Sequence, residues 1–131
     1  MLKTLGVVEV HALSGRPDRS GECLSARRFG DQSLLEWVTR RMTDALLLEH
    51  VVIITRGNED AEQIAQRVPS DVSVFAPRQS LDPVSRFAET LRAYEANAAV
   101  RVTLDNPFVD PVLHDRLVAK AESYRYCDYM S

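Results

Sequence analysis

The chain has 131 residues, 45% of them apolar and 27% charged, enough to close one hydrophobic core and too few for two. Those fractions exclude a disordered chain, and a net charge of −3 with no long basic run excludes the electrostatic footprint of a nucleic-acid or membrane-surface binder. No apolar stretch approaches the roughly 20 residues that span a bilayer, and Met1-Leu2-Lys3-Thr4 opens no secretory leader. Cys23 and Cys127 have no CxxC partner and read as free thiols of a reducing, cytoplasmic compartment.

The β-branched run Val7-Val8-Glu9-Val10 predicts a first strand. A loop from Leu13 to about Gly30 follows, rich in glycine, serine, aspartate and arginine. Ordered loops of that length are usually functional. Ser33-x-x-Glu36 is a capping box that opens a helix, with Leu34, Leu35, Val38, Met42, Ala45 and Leu46 as its apolar face. Val51-Val52-Ile53-Ile54-Thr55 is continuously apolar and predicts a strand buried on both faces. Asn58 is the expected cap of a second helix with Ala61, Ile64, Ala65 and Val68 inward, and Val72–Phe75 is the next strand. Asp82-Pro83 starts a third helix, Asp as cap and Pro where no amide hydrogen is needed, with Val84, Phe87, Ala88, Leu91 and Tyr94 inward. Ala98–Thr103 is a fourth strand. Asp110-Pro111 repeats the cap before a helix whose expected face is Val112, Leu113, Leu117, Val118 and Ala121. Tyr126–Met130 reads as the start of a fifth strand.

Strands alternating with helices predict right-handed crossovers and a three-layer α/β/α domain over residues 1–131, with a mainly parallel, Rossmann-like sheet. Ligands of such sheets sit beyond the carboxyl ends of the strands, at the point where strand order reverses. Two segments fall there: the loop after the first strand, and Leu104-Asp105-Asn106-Pro107 after the fourth.

Asp105 follows a strand directly and precedes a sharp turn, so its carboxylate is a candidate Mg²⁺ ligand. On spacing alone, satisfying the amides of its own turn is the ordinary role of such an Asp. In Ser14–Glu22, Gly15 and Gly21 let backbone amides approach an anion, and Arg16 and Arg19 can neutralise phosphates; a plain surface loop is the alternative. The segment contains neither GxxxxGK[ST] nor GxGxxG. His11, His50 and His114 have no metal spacing: His11 follows a strand and reads as a satisfied edge histidine, facing the site being the alternative, and the other two as helix-end residues. Arg86 lies between core-facing helical positions, where a solvated or snorkelling role is the default.

The segment Asp31-Gln32-Ser33-Leu34-Leu35-Glu36-Trp37-Val38 resembles the "G-x-P-L-L-E-W-V" of the cytidylyltransferases that make CMP-activated sugars, of the CMP-KDO synthetase and spore-coat polysaccharide types. Val100-Arg101-Val102-Thr103-Leu104-Asp105-Asn106-Pro107-Phe108-Val109-Asp110-Pro111 is similar to their "V-R-I-T-G-D-C-P-L-I-D-P", and Tyr126–Ser131 resembles "A-D-Y-V-S". The resemblance covers nearly the whole chain and about the first half of a family member. It implies that Asp105 holds Mg²⁺; the candidate nucleotide-site residues are Ala12, Gly15, Arg16, Arg19, Gly21 and Arg86, with Arg16 and Arg19 compensating from shifted positions for the family's basic residues. It further implies attack by a sugar hydroxyl on the α-phosphate of CTP, in the making of surface polysaccharide. The family's phosphate loop, roughly "A-R-M-x-S-x-R-L-P-G-K-V-L", is matched at Ala12, Gly21 and Leu24. It is broken at Leu13, Asp18 and Glu22, which stand where the family has Arg, Arg and Lys. Leu104 replaces the glycine beside the metal Asp. The family's second metal carboxylate and acceptor region fall beyond Ser131, which leads us to expect weak or no activity by this chain alone. It also leads us to expect a dimer or higher oligomer that covers apolar surface. The rival expectation is a non-catalytic domain that binds a ligand or partner on the same scaffold.

Overall fold

The computed structural model describes residues 3–10, 27–55, 58–78, 82–104, 108–124 and 128–130. Strands β1 (Thr4–Glu9), β4 (His50–Ile54), β5 (Ser73–Phe75) and β6 (Ala98–Thr103) form one parallel sheet in the order β5-β4-β1-β6. β1 begins earlier than its β-branched run because Thr4, Leu5 and Gly6 are paired from inside the sheet, to β6 on one side and, from Leu5 on, to β4 on the other. At Gly6 a Cβ would lie 2.8 Å from Leu48 Cδ1 and 3.0 Å from Met42 Cε, so glycine lets the neighbouring layer come close.

Alternation along the strands sends successive side chains to opposite faces. Val8, Val10, Val51, Ile53 and Val102 meet Leu35, Val38 and Met42 of α1 (Leu34–Thr43), Ile64 of α2 (Asn58–Ala65), and Val109. Leu5, Val7, Val52 and Ile54 face the other way, onto Phe75 and the Phe87, Leu91 and Tyr94 that belong to or directly follow α3 (Pro83–Ala93). The three-layer α/β/α domain expected from the sequence is therefore present. The last helix, α4 (Pro111–Ser123), buries Val118 and His114.

The caps behave as their chemistry requires. Ser33 Oγ accepts from the Glu36 amide at 3.2 Å, Asp82 Oδ1 from Ser85 at 2.9 Å, and Asp110 Oδ1 from Val112 at 2.9 Å.

Several inward faces differ from expectation. α1 stops at Thr43, so Ala45 is buried off the helix while Leu46 is 88% exposed. Val84 is exposed in the first turn of α3. In α4 the buried pair is His114 and Val118, one turn apart. Val112 lies about 200° round the helix from His114 and is exposed, as is Leu113. His50 is a strand residue, its Nε2 2.6 Å from Ser73 Oγ, and ends no helix; His114 does lie in the first turn of α4, but it is buried there. A short antiparallel hairpin, β2 (Arg28–Phe29) with β3 (Gln32–Ser33), occupies the end of the long loop, and Gly30 turns it with a φ of +69°. Residues 128–130 form no strand, and 125–127 lie outside the described residues.

Candidate functional site

From β1 the chain steps outward to β4 and β5, then returns to place β6 on the other side of β1. Strand order therefore reverses between β1 and β6, and ligands of such sheets sit in the crevice beyond the carboxyl ends of the strands at such a point. Glu9, the last residue of β1, is in register with Thr103, the last of β6. The segments 11–26 and 105–107 thus leave from adjoining strand ends. Ala12, Gly15, Arg16, Arg19, Gly21, Glu22 and Asp105, with His11, lie in those segments and outside the described residues.

The described floor of the crevice is charged. Glu9 is 5% exposed, and its Oε2 accepts from Arg101 Nε at 3.0 Å and from Arg101 Nη2 at 2.7 Å. Its Oε1 lies 3.9 Å from Arg86 Nη2. Register explains the grouping. Leu5 and Val7 face α3, so Glu9 does too; Arg101 sits opposite Val7 and reaches forward along the sheet to Glu9. Arg86 enters from the first turn of α3, which runs back from the crevice. Of the solvated or snorkelling role that its helical position suggested, the solvated one is excluded, because its side chain is only 17% exposed. Its Nε has no hydrogen-bond partner among the described residues. The Arg101 guanidinium carbon lies 5.7 Å from the centroid of the Phe87 ring, a cation–π geometry. Sequence reasoning missed Glu9 and Arg101. The available signal was a single charge inside each of two otherwise apolar strands.

A second feature borders β6. An open cleft of about 310 Å³ is lined by Arg101, Thr103, Phe108, Asp110 and His114. Burial pushes the His114 imidazole below its ordinary pKa, opposed by the nearby carboxylates of Asp110 and Asp115. Asp115 itself accepts from the Leu46 and Leu47 amides at 2.9 and 2.7 Å, tying α4 to the end of α1. Protonation of His114 therefore favours the unfolded chain, which binds the proton more readily. Stability should fall as pH drops below about 6.5, the unfolded value, and be unaffected by this group above it. Urea midpoints at pH 7.5 and 5.5 should separate more for the parent than for His114→Gln; equal separations would remove His114 as the cause.

Among the described residues no group of three or more His, Cys, Asp or Glu is placed to hold a metal ion, and no helix is long and apolar enough to cross a membrane.

The profile of the MobA-like NTP transferase domain matches residues 14–129. Among solved structures, a cytidylyltransferase from Leptospira borgpetersenii is similar with 26% identity and a TM-score of 0.76, over 95% of this chain and 51% of that one. A CMP:2-keto-3-deoxy-manno-octonic acid synthetase complexed with CTP is similar in fold, with 16% identity and a TM-score of 0.73 over 92% of this chain and 48% of that one. A nucleotidyl transferase from Methanothermobacter shares the fold at 16% identity and a TM-score of 0.66, over 89% and 57% of the two chains. The chain thus spans about half the length of these solved structures. No curated protein matches it.

Proposed function

We propose, on the premise that this chain belongs to the MobA-like NTP transferase domain family, that it is the nucleotide-binding half of a cytidylyltransferase. The observation that carries this reading is the strand reversal between β1 and β6, from whose adjoining ends the glycine–arginine loop and the Asp105 turn both depart. CTP is the nucleotide and a sugar hydroxyl the acceptor, in the cytoplasmic making of surface polysaccharide. The hydroxyl oxygen attacks the α-phosphorus, its proton passing to water, as the bond to the β-phosphate breaks and pyrophosphate leaves. Gly15 and Gly21 offer backbone amides to the phosphates, Arg16 and Arg19 neutralise them, and Ala12 and Arg86 complete the nucleotide site.

Mg²⁺ suits this donor set. It is a hard cation that takes one or two carboxylates together with waters and substrate phosphates, and Asp105 offers such a carboxylate. When bound it would offset charge developing on the phosphates.

The departures at Leu13, Asp18 and Glu22 support weak binding and weak or no activity by this chain alone. They also carry the second reading, a domain that binds a ligand or a partner chain without catalysis.

Amide NMR titration with CTP, with and without Mg²⁺, tests the proposal. Shifts should concentrate at Val10, Leu104 and the first turn of α3, and should depend on Mg²⁺. Asp105→Asn should weaken the Mg²⁺-dependent component by about tenfold or more, a scale that even a ligand's supporting partner carries at metal sites. No response to millimolar CTP with Mg²⁺ would remove the proposal. An Asp105→Asn chain that binds normally but melts much earlier would return Asp105 to a turn-capping role.

A further inference from the structure

The Glu9–Arg86–Arg101 cluster is more elaborate than a sheet edge needs. Glu9 is almost fully buried at the end of a central strand, where an apolar residue would cost nothing in desolvation. It does not form a closed pair. Its Oε2 is committed to Arg101, while its Oε1 attracts Arg86 at 3.9 Å, beyond a good hydrogen bond. Among the described residues the Arg86 side chain makes no hydrogen bond and is held by charge alone, its buried Nε without a partner. Arg101 is 58% exposed, and two of its nitrogens grip Glu9 beside the face of Phe87. The cluster carries one negative and two positive charges, at the strand ends from which both candidate binding segments leave.

We propose that Glu9 is a positioning residue of the nucleotide site. Clamped by Arg101, it holds Arg86 and the first turn of α3 against the end of β1, and so keeps Arg86 donors available for an acceptor oxygen of the bound nucleotide. This rests on the nucleotide-binding reading above. It differs from a purely electrostatic account in sign. Glu9 is a like charge to a triphosphate, so neutralising it should tighten binding if charge alone mattered. If Glu9 acts through Arg86, neutralising it should weaken binding.

The test uses the chain carrying Glu22→Lys, which is expected to bind CTP tightly enough for losses to be measured. CTP with Mg²⁺ is titrated into that chain and into its Glu9→Gln, Arg86→Gln and doubly substituted forms, well below each melting temperature. Glu9→Gln should weaken binding about tenfold. Arg86→Gln should weaken it by at least as much, and the double change should add little, because both act through one guanidinium. A general loosening of the fold would instead give losses that add. If Glu9→Gln does not fold, Glu9→Asp replaces it: the charge stays but the shorter carboxylate cannot keep both contacts, and binding should again weaken. If the Glu22→Lys chain binds CTP and the Glu9 variants bind it equally well or more tightly, this inference fails alone. If neither the parent nor the Glu22→Lys chain binds CTP, the nucleotide reading fails and takes the inference with it.

Discussion

Replacing Ile53 by alanine is expected to lower the free energy of unfolding by about 3–4 kcal/mol, the middle of the range for truncating a buried aliphatic side chain. Ile53 is fully buried, lies on the inner strand β4, and is in register with Val8 and Val74 on either side. It belongs to the cluster that joins the sheet to Leu35, Val38 and Ile64. Loss of its outer carbons removes transfer energy and leaves a cavity that two paired neighbours cannot collapse into. Domains of this kind are stable by only about 5–15 kcal/mol, so the variant should unfold at a far lower urea concentration. Leu46→Ala is the matched control: Leu46 is 88% exposed, and its truncation should change stability by less than about 0.5 kcal/mol. A loss below about 1 kcal/mol at Ile53 would mean that β4 is not covered as described.

Glu22→Lys is expected to tighten CTP binding by about two decades at low salt. A carboxylate about 4 Å from a phosphate oxygen repels it, and an ammonium there attracts it, each by ~1 kcal/mol in bulk water and ~4 kcal/mol at an effective dielectric near 20. The exchange is therefore worth several kcal/mol before screening, and about two decades of affinity remain after it. The gain should shrink as salt rises, and no transfer to a sugar should appear. Micromolar CTP binding by the unmodified chain, abolished by Glu22→Lys, would falsify this account of the loop. It would mean that Arg16 and Arg19 already form a working phosphate site and that Glu22 holds a cation there.

The fold was legible because its signals are local. Val51–Ile54 could only be a strand covered on both faces, and it is one. Asp82-Pro83 and Asp110-Pro111 set the starts of α3 and α4 through a side-chain acceptor and a missing donor, both properties of adjoining residues. The motif at Val100–Pro111 likewise pointed to a family that the comparisons support over most of the chain.

Local periodicity could not say how each helix is rotated against the sheet. That is why Val84, Val112 and Leu113 were expected inside and lie outside, and why His114 was expected at a helix end and lies buried. The charged floor of the crevice was equally out of reach. Arg86 was a candidate, but Glu9 and Arg101 are 92 residues apart, and each alone looks like a stray charge in a strand. The residues by themselves determined a parallel α/β domain, because caps, β-branched runs and turns act over a few residues. Only the tertiary structure decided that one buried carboxylate meets two guanidinium groups at its strand ends. That meeting depends on strand register and on α3 crossing to the opposite face of the sheet, which no short window of sequence encodes.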